Sequence, residues 1–160
     1  MHAGDRTMEP SEATVVLIVE DEPLVRMLGN DVLTEAGFRV IEAVNATEAL
    51  VLLEARPDIM VVVSDVELKG ENGFELARTV RQRWPRVGVI LSSGRASPAP
   101  GDMPNNAVFL PKPNPLSALV KQVKLMAERA AEPIIIVGDG APNTEADGAS
   151  DNVVPLRRGG

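Results

Sequence analysis

Charged and hydroxyl side chains follow several apolar runs of this sequence at the points where the runs end. Glu20 and Asp21 come directly after the first run, and Asp65 follows the third. Ser93 follows the fourth run, and Lys112 follows the fifth. Carboxylates in one site repel each other unless a cation lies among them, and hard oxygen ligands suit Mg²⁺. An aspartate, Mg²⁺, a hydroxyl and an ammonium form the set that phosphoryl transfer needs.

These side chains can meet only if the apolar runs are strands of one sheet. The runs cover residues 14–19, 38–44, 59–63, 87–92 and 107–110. Continuous apolar runs with many β-branched residues are typical of strands buried on both faces of a parallel sheet. Because the carboxyl ends of parallel strands lie at one edge of a sheet, we expect three carboxylates, one hydroxyl and one ammonium to converge there.

Amphipathic segments separate the runs. Pro23 opens the first helix, whose Leu24, Leu28 and Val32 fall at i, i+4 and i+8, and Gly37 ends it. The alternation of strand and helix predicts an α/β domain with a doubly wound, five-stranded parallel sheet of the flavodoxin-like type. Later helices have these apolar positions: Ala49, Leu50 and Leu53 after an Asn45 N-cap; Phe74, Ala77 and Val80; Leu116, Leu119, Val120 and Val123.

One connection departs from this alternation. The segment between the fourth and fifth strands reads GRASPAPGDMPNNA, with Pro98, Pro100 and Pro104. Proline removes a backbone donor and disrupts the preceding turn of a helix. We therefore expect the fourth helix to be shortened or missing.

Composition excludes several classes of function. The formal net charge of −7 gives no basic surface for nucleic acid or for an anionic membrane. There is no cysteine, so thiolate catalysis, thiolate metal sites and disulfides are excluded. The only histidine, His2, lies in a polar N-terminal stretch, and no apolar run is long enough to cross a bilayer. These features predict a cytoplasmic protein without a histidine-centred mechanism.

The same patterns divide the chain into three parts. Residues 1–13 are predicted to be a flexible N-terminus, and residues 14–131 a single domain. Residues 132–160 combine Gly, Pro, Asp, Asn and Ser in a mixture that buries little apolar surface, so a disordered tail is predicted there.

Four motifs in register indicate a family. The segments VLIVEDEPLVR, VVVSDVELKGENGFELA, VILSSG and FLPKP resemble the response-regulator receiver family over about residues 14–131. The resemblance implies that Asp65 is the phosphoacceptor and that Ser93 and Lys112 bind the phosphoryl group. It also implies a Mg²⁺ site and a cis peptide bond. The metal ligands would be Glu20, Asp21, Asp65 and the backbone carbonyl of Glu67, and the cis peptide would join Lys112 to Pro113.

The resemblance also implies partners. The phosphoryl donor would be the phosphohistidine of a sensor histidine kinase or of a histidine phosphotransfer protein. On phosphorylation Ser93 would swing inward and Phe109 would fill the vacated space, which would change binding to a downstream protein. The proline-rich segment between the fourth and fifth strands alters the surface through which such domains commonly act. Homodimerisation stays open as a further possibility.

Three residues depart from the family pattern. Lys69 replaces the proline usually found four residues after the phosphoacceptor, which leaves the loop backbone less constrained. Glu67 and Arg95 occupy positions that often tune the lifetime of the phosphoryl group. We expect their opposite charges to pair across the site and to slow attack by water.

Two other functions remain open from the sequence. A Mg²⁺-dependent phosphatase with an aspartyl nucleophile uses similar chemistry, but the sequence offers no further general acid and no cap. A pseudo-receiver adaptor would retain the fold without phosphorylation, against which the complete acidic set argues. The preferred reading is a signalling switch that catalyses at most its own phosphorylation and dephosphorylation. The kinase, the signal and the downstream target cannot be read from the sequence.

Overall fold

A computed structural model describes residues 14–131 of the chain, so the predictions for residues 1–13 and 132–160 lie outside the described residues. Five strands of one main sheet and four helices follow one another along this part. The strands are β1 (Val15–Val19), β2 (Arg39–Ala43), β3 (Ile59–Asp65), β4 (Gly88–Ser93) and β5 (Ala107–Pro111). The helices are α1 (Pro23–Glu35), α2 (Ala46–Ala55), α3 (Gly73–Arg83) and α4 (Leu116–Ala131).

All five strands pair in parallel, in the order β2-β1-β3-β4-β5. The predicted doubly wound flavodoxin-like sheet is confirmed. The chain first adds β2 on one side of β1 and then adds β3, β4 and β5 on the other side. The winding therefore reverses between β1 and β3, and functional groups at the carboxyl ends of these two strands face one crevice.

The core lies in two layers, one on each face of the sheet. Alternate residues of β1 point to opposite layers, because side chains alternate along a strand. Leu17 packs with α2 and α3 on one face, and Ile18 packs with α1 and α4 on the other. Both faces are covered, which explains why the strands read as unbroken apolar runs.

Helix α1 presents a different face to the sheet from the one that its leucines suggested. Leu24 and Leu28 are 69% and 51% exposed, whereas Leu33 is fully buried. A Cβ added at Gly29 would lie 3.3 Å from Ile18 Cδ1, so the helix approaches the sheet along the side that carries Gly29 and Leu33. Of the three apolar positions that the spacing indicated, Leu24 and Leu28 are exposed and Val32 packs against the core, because the small Gly29 lets the neighbouring side of the helix approach the sheet.

This correction predicts unequal effects for two leucines of one helix. Leu33→Ala is expected to lower the free energy of unfolding by about 3 kcal/mol, because it opens a cavity in a close-packed layer. Leu28→Ala, the matched control, should cost at most about 0.5 kcal/mol, as is usual for exposed positions. Urea denaturation of both variants measures the difference, and equal losses would contradict this orientation of the helix.

The connection from β4 to β5 contains no helix within the described residues, as its prolines predict. Instead, Ala99 N–H donates to Asp102 Oδ2 at 2.6 Å, and Arg78 on α3 donates to the Asp102 carbonyl at 3.3 Å. Asn106 adopts a positive φ of 64° just before β5. Asparagine tolerates this conformation better than most residues do. Across residues 14–131, no helix is long and apolar enough to span a membrane.

Candidate functional site

Asp65 is the last residue of β3, and its carboxylate is 13% exposed. Its Oδ1 accepts the backbone N–H of Glu67 at 3.1 Å. Its Oδ2 lies 3.4 Å from Lys112 Nζ, the ammonium that follows β5. Lys112 is itself positioned by its own N–H, which donates to the Ser93 carbonyl at 2.9 Å. The structure thus brings Asp65 and Lys112 together as the sequence predicted.

The backbone around these residues has two further features. The peptide bond between Lys112 and Pro113 is cis, as the resemblance implied. Gly73, at the start of α3, lies against the Asp65 backbone: an added Cβ would come within 2.5 Å of the Asp65 carbonyl oxygen. Sequence reasoning missed this role of Gly73. The available signal was a glycine directly after Asn72, whose side chain caps α3 by accepting the N–H of Phe74 at 2.7 Å.

Glu20 follows β1 and is only 5% exposed. Burial raises the pKa of its carboxyl above the ordinary value of 4.5, and the negative charge of Asp65 raises this pKa further. The backbone N–H of Glu22, which donates to Glu20 Oε2 at 3.1 Å, lowers the pKa and so opposes the shift. Arg26 donates to the Glu20 backbone carbonyl at 2.8 Å and so fixes the end of β1 against α1. Burial thus disfavours the ionised form of Glu20, although the Glu22 N–H and the charge of Lys112 act in the opposite direction.

Asp21 makes a contact that the sequence did not predict. Its Oδ2 accepts the backbone N–H of Lys69 at 2.8 Å. Proline at this position would have no N–H to donate. This hydrogen bond ties the loop to Asp21, and the lower backbone constraint expected from Lys69 stays a prediction. Around it, residues Glu67–Leu68 and Glu71–Asn72 form a short antiparallel ladder with Gly70 at a positive φ of 69°.

Ser93 ends β4 and is 2% exposed. Its hydroxyl donates to the Glu67 carboxylate, 2.8 Å from Oε1 and 2.7 Å from Oε2. The same oxygen accepts the N–H groups of Arg95 at 3.0 Å and Ala96 at 2.8 Å. The expected Glu67–Arg95 ion pair was wrong: the ion pairs that the described residues form do not include it. Instead, the Glu67 carboxylate accepts a hydrogen bond from the buried Ser93 hydroxyl.

Phe109 lies in the middle of β5 and is partly buried. It packs against the core layer beneath α2 and α3, which Ala96 and Met103 from the helix-free connection also contact. Phe109 therefore shares its layer with residues that lie just after Ser93. Its rotation on phosphorylation stays a prediction.

A cleft of about 580 Å³ opens beside these residues between α1 and α4. Glu20, Asp65 and Lys112 line its polar end, and Val25 and Leu28 lie among its apolar walls. Within residues 14–131, no three acidic side chains lie close enough together to make a metal cage, so the expected convergence of three carboxylates is only partial. Magnesium needs no such cage, because it retains several waters and binds through one or two carboxylates. The carboxylates of Glu20 and Asp65, which both line this end of the cleft, offer the hard oxygen ligands that suit this ion.

The buried Glu20 carboxylate predicts a pH dependence of stability. Because its pKa is raised on folding, its favourable contribution is complete below pH 4.5 and is lost as the pH rises through the folded-state value. Glu20→Gln is therefore expected to be more stable than the wild type at pH 8 in EDTA, with the difference shrinking toward pH 4. Urea denaturation at several pH values measures this, with exposed Glu75→Gln as the control. Equal stabilities at pH 8 would contradict the prediction.

Comparison with known proteins gives one family and several relatives. The family model of the response regulator receiver domain matches residues 16–124. The sensor kinase CckA of Brucella abortus (strain 2308) is 37% identical over 129 residues, which are 78% of this chain and 14% of that protein. A putative NtrX-like response regulator of Rickettsia bellii (strain RML369-C) is 33% identical over 84 residues, which are 51% of this chain and 17% of that protein. This chain thus spans less than a quarter of either relative.

Solved structures are similar over a larger share of their length. The receiver domain of the hybrid histidine kinase CckA has a TM-score of 0.60 and 31% identity, covering 71% of this chain and 98% of that one. A response regulator receiver protein from Sinorhizobium medicae WSM419 has a TM-score of 0.69 and 25% identity, covering 74% of this chain and 98% of that one. Nearly the whole of each solved domain therefore has a counterpart here.

Proposed function

Because this chain belongs to the response regulator receiver domain family, we propose that it is a phosphoacceptor switch in which Asp65 carries the phosphoryl group. One observation above all supports this proposal: the Asp65 carboxylate ends β3 beside the switch point of the sheet, with the Lys112 ammonium 3.4 Å away. A carboxylate at this edge is open to a donor from the cleft. The ammonium neutralises charge that builds up during transfer.

The transfer is a displacement at phosphorus. An Asp65 oxygen attacks the phosphorus of a donor phosphohistidine, a P–O bond forms, and the P–N bond breaks. The imidazole of the donor leaves with the electron pair of that bond. Lys112 then donates to a phosphoryl oxygen, and the buried Ser93 hydroxyl is the second donor from the protein.

Receiver domains generally bind Mg²⁺ at the phosphorylation site, and we propose that Glu20, Asp21, Asp65 and the Glu67 carbonyl bind it in this chain. When bound, the ion neutralises charge on the transferring phosphoryl oxygens. The carboxylates present support this assignment by their chemistry. In addition, the Glu20 carboxylate is desolvated and lies near the charge of Asp65, so a cation would relieve both costs.

The donor in this proposal is a sensor histidine kinase or a histidine phosphotransfer protein. The exposed apolar side of α1 supports a protein donor, because Val25 and Leu28, which line the cleft, are 42% and 51% exposed. Exposed apolar surface of this extent is common at protein contacts. A downstream partner protein, the absence of nucleic-acid and membrane binding, and a cytoplasmic location stay predictions from composition and family.

Intact mass spectrometry tests the proposal. The full chain is incubated with acetyl phosphate and Mg²⁺, and the expected product carries one phosphoryl group that is lost on treatment with hydroxylamine, as acyl phosphates are. Omission of Mg²⁺ should remove the product. Failure to gain a phosphoryl group would instead indicate an adaptor that works without phosphorylation, and steady turnover of a phosphate ester would indicate a phosphatase.

A further inference from the structure

The Ser93 hydroxyl has no free hydrogen-bonding capacity in this structure. A hydroxyl has one hydrogen to donate and two lone pairs. Its hydrogen is directed at the two Glu67 carboxylate oxygens, and its lone pairs accept the N–H groups of Arg95 and Ala96. A phosphoryl oxygen can therefore accept a hydrogen bond from Ser93 only if the hydrogen bond to Glu67 breaks first.

A carboxylate and a phosphoryl group present the same chemistry to a donor, because both offer anionic oxygens. The two side chains that would bind the phosphoryl group, Ser93 and Lys112, both contact carboxylates here, those of Glu67 and Asp65. Glu67 thus accepts the hydrogen of Ser93 that a phosphoryl oxygen would need. Its backbone N–H, which donates to Asp65 Oδ1 at 3.1 Å, fixes the start of its side chain beside the nucleophile.

We propose that the Glu67 carboxylate is a built-in occupant of the phosphoryl-binding position on Ser93, so that it must be displaced before the phosphoryl group of Asp65 can bind there. This inference rests on the proposed function and concerns its regulation. A phosphoryl group on Asp65 adds close to two negative charges next to Glu67 and repels it. The residue is exposed, so its side chain can turn into water while Leu68 stays buried.

The occupant has two consequences. It competes with the phosphoryl group, so phosphorylation is slower than the nucleophile and its ammonium partner alone would allow. It also keeps the unphosphorylated Ser93 where its oxygen accepts the Arg95 and Ala96 N–H groups, which orders the start of the connection to β5.

The test measures phosphorylation by acetyl phosphate with Mg²⁺ in the full chain. Removal of a hydrogen bond to a charged group predicts that Glu67→Ala raises the rate roughly tenfold. The same substitution is then made together with Ser93→Ala, where the predicted gain disappears because no hydroxyl remains to be released. Glu75→Ala, which removes one exposed charge from α3, is the matched control and should leave the rate unchanged.

The outcomes separate this inference from the proposed function. If the wild type takes up no phosphoryl group on Asp65, the proposed function fails. If the wild type is phosphorylated but Glu67→Ala is no faster, only the occupant role of Glu67 fails. A full rate gain that persists with Ser93→Ala would also overturn it, because simple charge repulsion by Glu67 would then account for the effect.

Discussion

Asp65→Asn is expected to abolish phosphoryl uptake from acetyl phosphate. An amide is not a nucleophile, so no P–O bond can form at this position. The amide has nearly the shape of the carboxylate, and its oxygen can still accept the N–H of Glu67 that lies 3.1 Å from Oδ1. The fold should therefore be retained while the reaction is lost. Intact mass after incubation with acetyl phosphate and Mg²⁺ measures the result.

Asp31→Asn is the matched control for this variant, because Asp31 is an exposed acid on α1. It should gain one phosphoryl group as the wild type does. A phosphoryl group retained by Asp65→Asn would show that another residue is the acceptor. Peptide mapping after reduction of the acyl phosphate would then identify that residue.

Lys112→Ala is expected to slow phosphorylation by about 100-fold. Lys112 Nζ is 3.4 Å from Asp65 Oδ2 and is the cation that the cleft brings to this carboxylate. Without the ammonium, the negative charge of the carboxylate and of the incoming phosphoryl oxygens is compensated less well. The measurement is the rate of adduct formation over a range of acetyl phosphate concentrations.

Two controls define what Lys112 contributes. Lys124→Ala removes an exposed ammonium from α4 and should react at the wild-type rate. Lys112→Arg keeps the charge but replaces a compact ammonium with a planar fork, so we expect it to recover only part of the loss. A rate for Lys112→Ala within twofold of the wild type would contradict the assigned role of Lys112.

Ser93 connects the site to the part of the domain that departs most from a regular strand and helix alternation. The hydroxyl lies between the Glu67 carboxylate and the N–H groups that begin the helix-free connection. Ala96 and Met103 of that connection pack on the same core layer as Phe109. Any change at Ser93 therefore reaches a segment whose backbone is not stabilised by a helical ladder, and such segments open at low cost.

Much of the fold follows from local patterns in the sequence. Buried parallel strands need unbroken apolar runs, and Val15–Val19 shows one that ends in Glu20 and Asp21. The prolines after Gly94 disfavour a long helix for a backbone reason, because each removes a donor and clashes with the preceding turn. Because every parallel strand runs the same way, the order of strands and helices alone places Asp65 and Lys112 at one edge of the sheet.

The sequence was less informative where one contact competes with another. The apolar period of α1 pointed to Leu28, but the space that Gly29 leaves against Ile18 orients the helix so that Leu33 is buried. The spacing of apolar residues along a helix cannot show which of its two apolar sides the sheet will approach more closely. That choice depends on the shape of the sheet surface beneath the helix.

The sequence by itself determined which residues lie at this edge of the sheet, because the apolar runs show where each strand ends and parallel strands all end at one edge. Only the tertiary structure decided which of them bond to each other. Charge suggested that Glu67 would pair with Arg95, yet the carboxylate accepts the Ser93 hydroxyl, and Asp21 accepts the N–H of Lys69. The physical reason is that a buried polar group left without a partner is costly, whereas an exposed ion pair gains little. The buried Ser93 hydroxyl therefore takes the acceptor, and Arg95 remains at the exposed surface.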